Sequence, residues 1–172
     1  MQRLLTLVPL AILCACSSTR SSVQDASNAK AQYALMASLA GEWTGEADHG
    51  SEKFPIHTEF HVTGNGTTVA ETMFKGTEHE MISMYHLDGG RLMHTHYCAA
   101  GNQPRMVAQP SSSKNTIFYA FHDATNLPSP DVMHMHEMKI LVKDADNIEE
   151  WWTGYVNGKP DHTAHFILKR KK

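Results

Sequence analysis

The chain has 172 residues, of which 41% are hydrophobic and 19% charged, and its net charge is −3. That balance suits a globular protein and offers no basic footprint for nucleic acid. Beyond an apolar start, no run approaches the roughly 20 residues that a spanning helix needs, which excludes a polytopic helical membrane protein.

Met1-Gln2-Arg3 is a short basic start, and Leu4 to Leu13 is almost wholly apolar. A basic end, an apolar segment and a small residue before the cut describe a secretory signal. Here the cut would fall between Ala15 and Cys16, and Leu13-Cys14-Ala15-Cys16 resembles the bacterial lipoprotein lipobox. On that reading residues 1–15 are a signal peptide and Cys16 carries the lipid. Ser17 in the second mature position resembles lipoproteins sorted to an outer membrane, a likeness that implies a place there, facing the periplasm of a bacterial envelope. The expected partners are therefore a membrane, reached through the lipid on Cys16, and a small-molecule ligand. Cys14 leaves with the signal and Cys16 is consumed, so Cys98 remains as the one free thiol. The fold then has no internal disulfide and must rest on its core. An ordinary signal peptide or a retained anchor is the competing reading.

Removing 15 of the 172 residues leaves 157, which fits one domain. Residues 16–30 are small and polar without apolar periodicity, as in a flexible tether. From Ala31 to Ala40 the spacing of Tyr33, Met36 and Leu39 predicts a short helix, ended by Gly41. Strand patterns follow at Phe54–Thr63, Thr67–Phe74, His79–Leu87, Arg91–Cys98, Arg105–Gln109, Thr116–His122, His134–Lys143, Ile148–Tyr155 and His162–Lys169. Gly64-Asn65-Gly66, Asp88-Gly89-Gly90 and Asn157-Gly158 supply the turns between them. With a first strand near Trp43, about ten short strands at hairpin spacing predict an all-β antiparallel sandwich or barrel over residues 31–172. Lys169-Arg170-Lys171-Lys172 reads as a solvated tail.

Gly41-Glu42-Trp43-Thr44-Gly45 after a short helix resembles the G-x-W opening of lipocalins and their relatives. The stretches HEMISMYHLDGGRLMHTHYCAAGNQPRM (79–106) and HMHEMKILVKDADNIEEWWTGYVNGKP (134–160), with the closing FILKRKK, resemble a family of bacterial calycin-like barrels. The resemblance runs from about Leu39 to Lys172. It implies a closed, up-and-down antiparallel barrel of eight to ten strands around a small-molecule cavity. It also implies kinship with nitrobindin-like haem barrels, although no residue here matches a haem-ligand motif of that family. His94 departs from the pattern, which has an apolar residue there.

Alternation selects the candidate site. His96 with Cys98, and His134 with His136, stand two apart, which places each pair on one face of its strand. Imidazole and thiolate suit a transition metal, and a single histidine could hold haem. The same four residues could instead be interior groups with ordinary hydrogen bonds. Asn102 and Arg105, in the turn Gly101-Asn102-Gln103-Pro104-Arg105, could receive a carboxylate or phosphate at the barrel mouth. Of Trp151 and Trp152, one should line the interior, and Trp152 is counted among the ligand contacts. Glu149 and Glu150 must face opposite ways, so they cannot share a site. The leading expectation is a lipid-tethered, non-catalytic barrel that binds an apolar molecule, haem or a transition metal. The alternatives are an enzyme using a His/Cys or metal site, and a structural envelope module with a filled core.

Overall fold

The structure is a computed structural model and describes residues 17–111 and 113–172. The expected signal peptide at 1–15 and the expected lipidation site at Cys16 lie outside the described residues. The described residues form one α-helix, α1 (Ser17–Ala37), and ten strands. These are β1 (Gly41–His49), β2 (Glu52–Thr63), β3 (Thr68–Met73), β4 (Met81–Asp88), β5 (Arg91–Tyr97), β6 (Gln103–Ala108), β7 (Thr116–Thr125), β8 (His134–Asp144), β9 (Asn147–Val156) and β10 (Lys159–Arg170). Each strand pairs antiparallel with the next, and β1 pairs with β10 to close an up-and-down barrel. Closure leaves no unpaired edge to template aggregation.

Hairpin chemistry drives this topology. Asn157 (φ 52°) and Gly158 (φ 68°) both take the left-handed conformation that a two-residue turn requires, so β9 leads straight into β10. Period-two alternation then sends Ile148, Glu150 and Trp152 inward on β9, and Ala164, Phe166 and Leu168 inward on β10.

Helix α1 is longer than the expected Ala31–Ala40. The stretch read as a tether is largely helical, and its last turns dock on the barrel. Ala29 is buried, Asn28 Nδ2 donates to the Ser111 carbonyl (3.1 Å), and Gln32 Nε2 donates to that of Gln109 (2.9 Å). Ala29, Gln32 and Met36 recur at helical spacing as its buried stripe. Met36 and Leu39 join Trp43 in the apolar core.

The barrel closes around Trp43. Its indole is fully buried and donates to the Leu39 carbonyl at 2.8 Å. Arg170 is no solvated tail: it ends β10 opposite Trp43, with its guanidinium 4.2 Å from the ring centre. It also donates to the carbonyls of Ser38, Ala40 and Ala145, tying the end of β10 to the α1–β1 connection and to the β8–β9 turn.

Gly45 completes this seam. A Cβ there would stand 1.9 Å from the carbonyl oxygen of Ile167 on β10, a backbone atom that cannot move alone. Gly45→Ala is expected to spread the β1–β10 ladder and cost about 2–3 kcal/mol, the upper range for overpacking. Urea denaturation measures it; a loss below half a kcal/mol would mean that the seam has slack.

Candidate functional site: an open cavity above a buried acid pair

At one end the interior opens into a cavity of about 720 Å³. Its walls are apolar, with Phe54, Met73, Phe74, Met135 and Phe166 contributing, and its rim carries His49, Glu52, His79 and His162. His96 and Trp152 also line it. The volume and mixed lining fall in the range of small-molecule sites.

His96 comes inward from β5 with Leu92 and His94, as alternation expects. Its Nδ1 lies 3.0 Å from Ser83 Oγ, while its Nε2 is buried with no hydrogen-bond partner. Burial pulls its pKa down to about 3, so the ring is neutral at physiological pH. Trp152 also faces inward, its ring 4.8 Å from that of His96, and its Nε1 donates to Glu150 Oε2 at 3.0 Å. Trp151 is on the outside, stacked on His165.

Both cavity residues also touch a buried polar cluster. Glu71 on β3 and Glu150 on β9 are wholly buried and meet across the barrel. Tyr85 donates to Glu71 Oε2 at 2.5 Å, and Thr58 donates to Glu71 Oε1 at 3.3 Å. Burial raises both carboxyl pKa values, Glu71 to about 7 and Glu150 well above its usual value, where the neighbouring Glu71 adds to the effect. His94, fully buried, stacks on Tyr85 at 4.6 Å and meets the rings of Tyr119 and Trp152 at 5.3 and 5.4 Å. Both its ring nitrogens lack partners, as do Tyr119 Oη and Glu150 Oε1.

The four expected metal ligands are not brought together. A β-bulge between Met135 and Glu137 adds a residue to β8 and breaks the alternation. Met135 therefore faces the cavity, and His134 and His136 do not line it. His134 Nδ1 pairs with the Val132 carbonyl (2.8 Å) and its Nε2 with His136 Nδ1 (3.0 Å). His136 is sandwiched between Phe121 and Tyr155, with ring centres 4.6 and 3.9 Å away. Cys98 follows the end of β5 outside the cavity lining, and burial pushes its thiol pKa up, away from a reactive thiolate. Among the described residues, no group of three or more His, Cys, Asp or Glu side chains is arranged to hold a metal ion.

The expected anion contacts are also engaged elsewhere. Arg105 forms a two-pronged pair with Asp123, Nε lying 2.5 Å from Oδ1 and Nη2 bonded to Oδ2. Asn102 is buried and donates to the Met133 carbonyl at 2.7 Å, which pins the turn rather than a ligand. Neither residue lines the cavity.

Haem needs only one imidazole. His96 Nε2 is covered, but His162 lies at the cavity rim with Nδ1 2.9 Å from Asp161 Oδ2. A carboxylate on one ring nitrogen is the arrangement that orients the other towards a metal. His162 therefore fits a single haem ligand, a role that its strand pattern alone did not single out.

No family model and no curated protein sequence matches the chain. Among solved structures it is similar to a protein of unknown function from the DUF3598 family of Nostoc punctiforme, with a TM-score of 0.54 and 12% identity. That match covers 79% of this chain and 49% of the other, so the chain spans about half the length of the Nostoc protein. It is also similar to Rv2717c from M. tuberculosis, with a TM-score of 0.56 and 15% identity over 83% of this chain and 98% of that one. At such identities the likeness is one of fold alone.

Proposed function

We propose that the chain is a non-catalytic binding protein that takes a small, largely apolar ligand into the open end of its barrel. The observation that carries this reading is the cavity of about 720 Å³ with aromatic and methionine walls, in a barrel otherwise filled by side chains. Apolar surface transferred from water onto such walls contributes about 25 cal/mol per Å² to binding.

Titrating the full chain with the apolar fluorophore 1-aminoanthracene tests it. Saturable binding is expected, and Ala164→Trp, which fills the cavity from β10, should abolish it. Cys98→Ser should leave binding unchanged, because the thiol is outside the lining. Equal binding by wild type and Ala164→Trp would sink the reading.

Haem is a second reading, favoured by His162 at the cavity rim with Asp161 bonded to its ring. Haem bound there would supply an iron able to take a diatomic gas or exchange an electron, while His162 would hold it through a ring nitrogen and Asp161 would orient the imidazole. Hemin titration should then give a Soret shift that His162→Ala removes.

We also infer that a lipid on Cys16 holds this barrel at the bacterial outer membrane, a reading supported by the lipobox-like residues 13–16. Radiolabelled palmitate should label the wild type and not Cys16→Ser.

A further inference from the structure

The cavity floor joins an apolar chamber to an acid pair that lacks a counter-ion. Glu71 and Glu150 meet in the interior, and no cationic side chain among the described residues contributes to the ionisation of either. Around them five polar atoms are buried without partners: Glu150 Oε1, His96 Nε2, Tyr119 Oη and both ring nitrogens of His94. Native interiors satisfy the great majority of such atoms, so five in one compartment call for an occupant with hydrogen-bonding capacity of its own. Trp152 connects the two spaces, since it lines the cavity and bonds Glu150.

We propose that the ligand of this cavity is an amphipathic amine, whose apolar body lies along Phe54, Phe74 and Phe166 and whose ammonium group displaces the Trp152 indole to reach the Glu71–Glu150 pair. The proposal rests on the cavity being a binding site. An ammonium brings three donors and one positive charge. Glu150 Oε1 can accept one donor, and His96 Nε2 can accept another when Nδ1 carries the ring proton towards Ser83 Oγ. The faces of Tyr85, Tyr119 and Trp152 add aromatic surface of the kind that attracts organic cations. A bare metal ion is disfavoured, because the compartment presents no three-ligand arrangement and its approach is apolar. A carboxylate head would be a third acid in a compartment that already holds two.

Calorimetric titration of the full chain at pH 8 with n-octylamine, 1-octanol and octanoate tests the proposal. The amine should bind about tenfold or more tighter than the alcohol, the scale of a hydrogen bond to a charged group. Octanoate should bind more weakly than the alcohol. Glu71→Gln and Glu150→Gln should each remove most of the amine's advantage and leave octanol affinity within about twofold. Equal affinity for amine and alcohol in the wild type would overturn the amine assignment and leave the apolar cavity standing. An advantage that survived both substitutions would move the charge contact to rim Glu52 and overturn it too. No binding of any of the three would fell the cavity reading itself. The wild-type series decides the matter even if a variant fails to fold.

Discussion

Trp43→Ala is expected to destabilise the barrel by about 3–5 kcal/mol, the range for truncating a fully buried large aromatic residue. Three separate contributions meet at this side chain. Its ring is wholly excluded from water within the core that Met36 and Leu39 share. Its Nε1 satisfies the Leu39 carbonyl, just beyond the end of α1, where helix geometry supplies no partner. Its face receives Arg170, whose other bonds hold Ser38, Ala40 and Ala145. Alanine removes the packing, strands a carbonyl and leaves the guanidinium without its platform. Trp43→Phe keeps most of the surface and loses the indole donor, so it should cost about 1 kcal/mol. Urea denaturation of both variants, read as midpoint shifts at constant m, measures the difference. A loss under about 1.5 kcal/mol for Trp43→Ala would mean that the α1–β1 connection and the end of β10 are held elsewhere.

The strands were legible because local rules determine them. Alternation and turn residues located all ten, and the opposite facing of Trp151 and Trp152 follows from the same period. The parity argument for Glu149 and Glu150 also holds: Glu149 bonds Lys143 and His165 outside, while Glu150 is buried. What local rules cannot show is which side chains meet across the lumen. Glu71 and Glu150 are far apart in sequence and four strands apart around the barrel, so their meeting depends on closure and shear. His94 looked out of pattern because an apolar residue was expected there; the pocket of Tyr85, Tyr119 and Trp152 gives it an aromatic setting. The misplacement of His134 and His136 has one cause, the single extra residue in β8, which reverses faces without any mark in the hydrophobic pattern. Arg105 was a candidate anion contact because its partner Asp123, on the neighbouring strand, cannot be assigned from local sequence.

Stability should be greatest between about pH 5 and pH 6.5 and decline on either side, because the interior holds acids and imidazoles whose linkages oppose each other. Glu71 and Glu150 ionise in the unfolded chain near 4.5, whereas burial raises both in the folded state, Glu71 to about 7. Their contribution is fully present below 4.5 and is lost as pH rises through the folded values. For Glu71 alone the loss is on the order of 3 kcal/mol. His94 and His96 work in the other direction, since burial lowers both from the usual 6.5, His96 to about 3. Their contribution is present above 6.5 and lost as pH falls. Between the unfolded values of the two kinds of group, folding takes up protons on the acids and releases them from the imidazoles, so the slopes cancel. Above 6.5 the imidazole contribution is complete and the carboxyl loss stands alone. Below 4.5 the reverse holds. The double substitution Glu71→Gln with Glu150→Gln should therefore flatten the alkaline limb and extend the acid one up to about pH 6.5, where the imidazole slope is no longer cancelled. Urea titrations from pH 4 to pH 9 on both proteins make the comparison, and an alkaline limb of the same slope in the double variant would refute the assignment to this pair. If the limb does follow the acids, a cation that neutralises them should also suppress it. Saturating n-octylamine would then stabilise the wild type more at pH 8 than at pH 5, a coupling that a ligand held by apolar contacts alone cannot produce.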